Sequence, residues 1–204
     1  DQGRNQPTNG DWGYNWWLEE VTELPVAVSA AGYATLYAPV ALEVADDVKA
    51  YTVTINGEWA TLNEITTGII PANTGVVIAG ANGEAAKEGT YNFAVTTTVA
   101  TASSDLRGSA PATYYTEAGT YHALAQVDGV VGFYKDEFNE SRFQNNSHKA
   151  YLYVAGSAET ASYSFRFGEG TTGIDEITEN RVQSTVIYDL TGRCVEAITA
   201  PGIY

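Results

Sequence analysis

The chain has no methionine, one cysteine, six prolines and two histidines in 204 residues. A lone cysteine, Cys194, excludes an internal disulfide and a cysteine-built zinc cage, and it leaves the redox compartment open. Basic residues are scarce, with 10 Lys and Arg against 25 Asp and Glu, a formal charge of -15. Such a surface repels phosphate backbones and anionic headgroups, so nucleic acid is not an expected partner. No apolar run approaches the roughly 18 residues that would span a bilayer, and the polar stretch from Asp1 to Gly10 holds no hydrophobic signal region. No membrane insertion is expected. A start at Asp1 rather than Met reads as a processed or excised segment, with any signal peptide outside it.

What is abundant points to extended structure. Fourteen tyrosines, six phenylalanines and four tryptophans accompany many β-branched residues, a composition that suits pleated surfaces. Period-two alternation is cleanest in Tyr91-Asn-Phe93-Ala-Val95 and Tyr163-Ser-Phe165-Arg-Phe167, which predicts strands with one buried face. Further strands are expected over residues 23–29, 34–44, 49–55, 75–79, 121–126, 130–134, 150–154 and 186–190. Turn pairs punctuate them at Asn56-Gly57, Asn82-Gly83, Asp128-Gly129 and Thr191-Gly192. Glu88-Gly-Thr-Tyr91 and Ala118-Gly-Thr-Tyr121 each open a strand; two such matches do not make a repeat architecture. No apolar stripe at helical spacing is sustained, so helices should be few and short, and residues 136–147 read as a long loop or one helical turn. The predicted class is all-β: an antiparallel β-sandwich, as one body or two stacked halves meeting near Ser103 and Ser104, with a small C-terminal β-hairpin. A hinge is expected at Gly168 to Gly173.

The motifs that would carry chemistry are thin. Gly168-Glu-Gly-Thr-Thr-Gly173 has the spacing of a dinucleotide-binding turn, but the tail after it is too short for a βαβ unit, and Asp175 and Glu176 would set like charge against phosphates. His122 and His148 lack metal-ligand spacing, and no G-x-S-x-G elbow supports a serine nucleophile. Asp136 or Glu137 with Glu140 would make an imaginable glycosidase pair, yet in so acidic a chain a solvated face is the simpler reading. No D-x-[DN]-x-[DN]-G calcium loop is present, and Asp46-Asp47 reads as a turn. No cofactor, metal or catalytic residue is expected. Recognition is the one function with candidates: Trp12, Tyr14, Trp16, Trp17 and Trp59 offer flat faces for sugar rings, with Asp11, Asn15 and Glu19 near enough to accept hydroxyl protons. Packing against a neighbouring domain or sheet edge is the competing role, and large aromatics are mostly buried on average.

Two stretches resemble known modules. Gly32-Tyr-Ala-Thr-Leu-Tyr-Ala-Pro-Val40, Val48-Lys-Ala-Tyr-Thr52, Ile70-Pro-Ala-Asn-Thr-Gly-Val-Val77, Asp105-Leu-Arg-Gly108, Gly129-Val-Val-Gly-Phe-Tyr134 and Lys149-Ala-Tyr-Leu152 occur in order. Together, over residues 20–173, they resemble a C-terminal accessory β-module of secreted or cell-surface Bacteroidetes proteins. Ile187-Tyr-Asp-Leu-Thr-Gly-Arg-Cys-Val195 with Pro201-Gly-Ile-Tyr204 is similar to the opening of a type IX-like C-terminal sorting domain, lacking that domain's last strand. The resemblance implies an accessory module with a secreted or surface location. The expected role is spacing or adhesin-like display of an upstream domain of the same polypeptide; the alternative is a carbohydrate-binding module using the tryptophans, and a glycan or surface protein is left open as a further partner. The expected organisation is residues 1–20 as the tail of an upstream domain or an N-terminal strand, 21–168 as the accessory β-sandwich and 174–204 as a partial sorting-like hairpin.

Overall fold

The computed structural model describes residues 21–136, 142–156 and 160–167, with two further short strands, Ile187–Tyr188 and Cys194–Val195. Two compact units divide the chain, Asp1–Thr172 and Gly173–Tyr204. Within the described residues the fold is all-β, and its one helical element is a 3-10 turn at Ala81–Gly83.

The first unit is built around a wall buried on both sides. Strands β2 (Ala34–Leu36) and β7 (Val76–Ala79) are buried at every position, and β4 (Lys49–Asn56) is buried from Ala50 through Val53. Alternate side chains of a strand leave opposite faces. Leu36, Ala50, Val76 and Ile78 therefore enter one core, while Tyr51, Val53, Val77 and Ala79 enter another. The first core is closed by a four-stranded sheet in the order β1 (Glu23–Val28), β8 (Gly89–Thr96), β3 (Ala41–Glu43), β6 (Ile69–Ile70). Its Val26, Val28, Leu42 and Phe93 pack against the wall.

The wall itself belongs to a nine-stranded sheet. From β2, β7 and β4 it continues through β5 (Trp59–Glu64), β15 (Ser162–Phe167), β12 (Val130–Lys135), β11 (Gly119–Val127) and β14 (Lys149–Ala155) to β9 (Leu106–Ser109). Pairing is antiparallel except between β15 and β5, which run parallel with Phe165 opposite Ala60. The sheet curls until its far end returns to β4. Strand β7 pairs with β4 only over Lys49–Tyr51, and the two residues leading into β9 occupy the edge beyond it. There Asp105 donates its N–H to the Val53 carbonyl at 2.8 Å, Ser104 Oγ accepts the Val53 N–H at 3.1 Å, and Asp105 Oδ2 accepts the Ile55 N–H at 2.7 Å. The enclosed core holds Val53, Leu62, Phe133, Leu152 and Tyr163. A third, aromatic cluster sits outside β11 and β14, where β10 (Thr113–Tyr115) and β13 (Phe143–Asn145) bring Tyr115 and Phe143 over Tyr121 and Tyr151. Tyr121 and Phe143 stack with centroids 4.7 Å apart.

Several sequence expectations change. The run over residues 34–44 is not one strand: Pro39 lies between β2 and β3, which join different sheets, as a residue without an N–H favours. Residues 143–145 of the expected loop are strand β13, while 137–141 lie outside the described residues. Asp128 and Gly129 both adopt positive φ (51° and 83°) between the paired Val127 and Val130, the two-residue hairpin their identity predicts. Asp46 and Asp47 form a turn. In the second unit, β16 (Ile187–Tyr188) pairs antiparallel with β17 (Cys194–Val195).

The 3-10 turn after β7 is held from within. The buried Tyr51 hydroxyl donates to the Gly80 carbonyl at 2.7 Å and accepts the Gly83 N–H at 2.9 Å. Tyr51→Phe leaves both backbone groups without that partner and should destabilise the chain by about 1–3 kcal/mol, read as a lower denaturant midpoint. An unchanged midpoint would contradict this role.

Candidate functional site

Of the aromatic residues singled out in the sequence, Trp12, Tyr14, Trp16 and Trp17 lie outside the described residues. Trp59 opens β5, is 47% exposed, and lies in register with Ser164 of β15 on one side and Asn56 of β4 on the other. Beside it is a hollow of about 300 Å³ lined by Glu58, Thr160, Ser162 and Ser164. An exposed indole beside hydroxyls and one carboxylate can stack on an apolar ring face and bond its polar rim.

Both histidines are engaged with backbone. His122, fully buried on β11, has Nε2 3.1 Å from the Thr160 carbonyl. A carbonyl only accepts, so Nε2 carries the proton and Nδ1 is a bare acceptor with no hydrogen-bond partner. Burial is the main reason its pKa falls below the usual value; the Thr160 carbonyl opposes that shift and Lys135 adds to it. His148 stands at positive φ (56°) in the turn before β14, donating from Nδ1 to the Tyr37 carbonyl while its own carbonyl accepts the Tyr37 N–H. That exchange ties the end of β2 to the start of β14. The His122 ring packs edge-on against Tyr163 with centroids 4.9 Å apart, and among the described residues no group of three His, Cys, Asp or Glu side chains could hold a metal ion. Asp136 lines a cleft, whereas Glu137 and Glu140 lie outside the described residues.

The larger opening was not legible in the sequence. A cleft of about 630 Å³ lies between the β1–β2 turn, β11 and the β13–β14 segment. It exists because β11 and β14 pair only over Gly119–His122 and Leu152–Ala155. Beyond that point Thr35 of β2 comes up to β14 and its Oγ1 accepts the Ala150 N–H at 3.2 Å. One wall is small, with Ala30, Ala31, Ala123 and Ala125. Lys149 is the cleft's basic residue; burial alone lowers the pKa of its amine, and no ion pair involves it among the described residues.

Comparison with known protein families, curated proteins and solved structures finds no match to this chain.

The lowered His122 pKa makes stability depend on pH. The folded chain favours the neutral ring, so this contribution is fully present above the unfolded value of about 6.5 and is lost as pH falls through it towards the lower folded value. Denaturant midpoints should therefore drop between pH 7 and pH 5. His122→Gln, which retains an N–H for the Thr160 carbonyl, should flatten that slope; equal slopes in both proteins would show that His122 is not its source.

Proposed function

We propose that the chain is a non-catalytic accessory module of a larger secreted or surface-attached bacterial protein, spacing or displaying another domain of the same polypeptide. The observation that carries this reading is how the polar groups suited to catalysis are used. His122, His148, Ser104 and Asp105 hold strands to one another through backbone carbonyls and amides. General acid–base or nucleophilic catalysis instead needs such groups converging on a substrate position. The ordered resemblance of residues 20–173 to accessory modules of surface proteins supports the same reading, and so does the charge of -15, which keeps a displayed domain soluble.

A second reading, glycan binding, is favoured by the exposed Trp59 and its hydroxyl-lined hollow. The two are separable. Under the accessory reading, the full chain gives no product from panels of chromogenic glycosides, esters and peptides, and host and plant polysaccharides leave its tryptophan fluorescence unchanged. Turnover that co-purifies with the chain contradicts it. A saturable fluorescence change with one polysaccharide, lost in Trp59→Ala, favours glycan binding at that hollow.

A further inference from the structure

The strand edge in the larger cleft has a hydrogen-bonding pattern fixed by its register. In an antiparallel strand, successive residues turn their N–H and C=O groups to opposite neighbours. The hairpin closes on the pair Val127 and Val130, and Asp136 donates its N–H to the Tyr121 carbonyl. Odd-numbered residues of β11 thus face β12, and even-numbered ones face the other way. His122 meets Leu152 of β14 there. The next two in the series, Leu124 and Gln126, face the cleft, because β14 has turned away towards Thr35. Each presents an N–H and a C=O, and the two residues are about 7 Å apart along the strand.

Elsewhere the fold covers an interrupted edge of this kind. Where β7 stops short, Ser104 and Asp105 satisfy β4 at Val53 and Ile55. Where β11 leaves β14, the Thr35 hydroxyl satisfies Ala150. The β11 side of the same gap has no such cover among the described residues: no hydrogen bond reaches the Leu124 or Gln126 backbone from across the cleft. Its alanine wall leaves room for incoming side chains, and Lys149 places in the same cleft an amine with no ion pair among the described residues.

We propose that this cleft takes an extended peptide segment bearing a carboxylate, added as a strand along Leu124 to Gln126 with the carboxylate drawn to Lys149. Backbone bonds to a strand edge supply affinity in this mode of recognition, and side-chain pockets supply selectivity. Fixed alternation of donor and acceptor at strand spacing is complemented by another strand, whereas a sugar presents hydroxyls with no such period. The surface is independent of the spacer role and of Trp59.

The test titrates the isotope-labelled full chain with an acetylated, amidated heptapeptide of alternating threonine and valine carrying one central glutamate. The expected result is saturable shifts of the Leu124 and Gln126 amides. A twin peptide N-methylated on its pairing face should bind at least tenfold more weakly, and exchanging the glutamate for lysine should weaken binding at least threefold. Lys149→Gln should remove that threefold preference while leaving the amide shifts in place, which separates the charge contact from loss of fold. Absence of shifts at millimolar peptide overturns the proposal, as does equal binding of the N-methylated twin. Shifts at the same amides caused by xylohexaose, or by raising protein concentration alone, would assign the cleft to a glycan or to a second copy and equally overturn it.

Discussion

A strand wall buried on both faces is the constraint from which the rest of the first unit follows. Strands β2, β7 and the Ala50–Val53 stretch of β4 have no solvent side, so each needs an apolar layer above and below. The four-stranded sheet supplies one layer, and the curled remainder of the nine-stranded sheet supplies the other. Burying apolar area on both faces stabilises by about 25 cal/mol per Å², but every backbone group in the wall must then be paired within the protein. That requirement accounts for the side-chain cap at Val53, and the same pairing is supplied just beyond the wall at Ile55 and on the neighbouring β14 at Ala150. It also accounts for the Tyr51 hydroxyl at the turn after β7.

The same constraint shapes the cleft. Thr35 can reach Ala150 only because β14 leaves β11 after His122, and that departure opens an edge on β11. A device that satisfies one side of the gap thus leaves the other side presented. Glycines make the close approaches possible: a Cβ on Gly108 would lie 2.4 Å from Tyr37, and one on Gly75 would lie 2.8 Å from Leu106. Both contacts join elements far apart in sequence, so the curl of the sheet and the position of β2 against β14 depend on them.

How much of this was legible in the sequence follows from what each residue pattern reports. Strands with one wet face announced themselves by alternation, as in Tyr91-Asn-Phe93 and Tyr163-Ser-Phe165, and the Asp128-Gly129 turn by its chemistry. Strands β5, β6, β9, β10 and β13 escaped notice because four of them have only two to four residues, and because small or polar residues such as Ala60, Ser109 and Asn145 share the buried positions with Leu62, Leu106 and Phe143. The parallel placement of β15 beside β5 depends on partners about 100 residues apart in the chain, which local periodicity does not encode. Trp59 was a candidate by residue type alone, whereas the Leu124–Gln126 edge is a property of where pairing stops. No single residue there has a telling identity, so only the register reveals it.

Residues before and after Ser104 in the first unit fold as one body, joined where β15 enters beside β5 and where Asp105 closes on β4. Native-state amide exchange along a denaturant series tests this most directly. One body predicts that Leu62 of β5 and Phe133 of β12 approach the same global opening free energy and the same denaturant dependence. Persistent protection of Leu62 while Phe133 exchanges through a separate, smaller opening would contradict it.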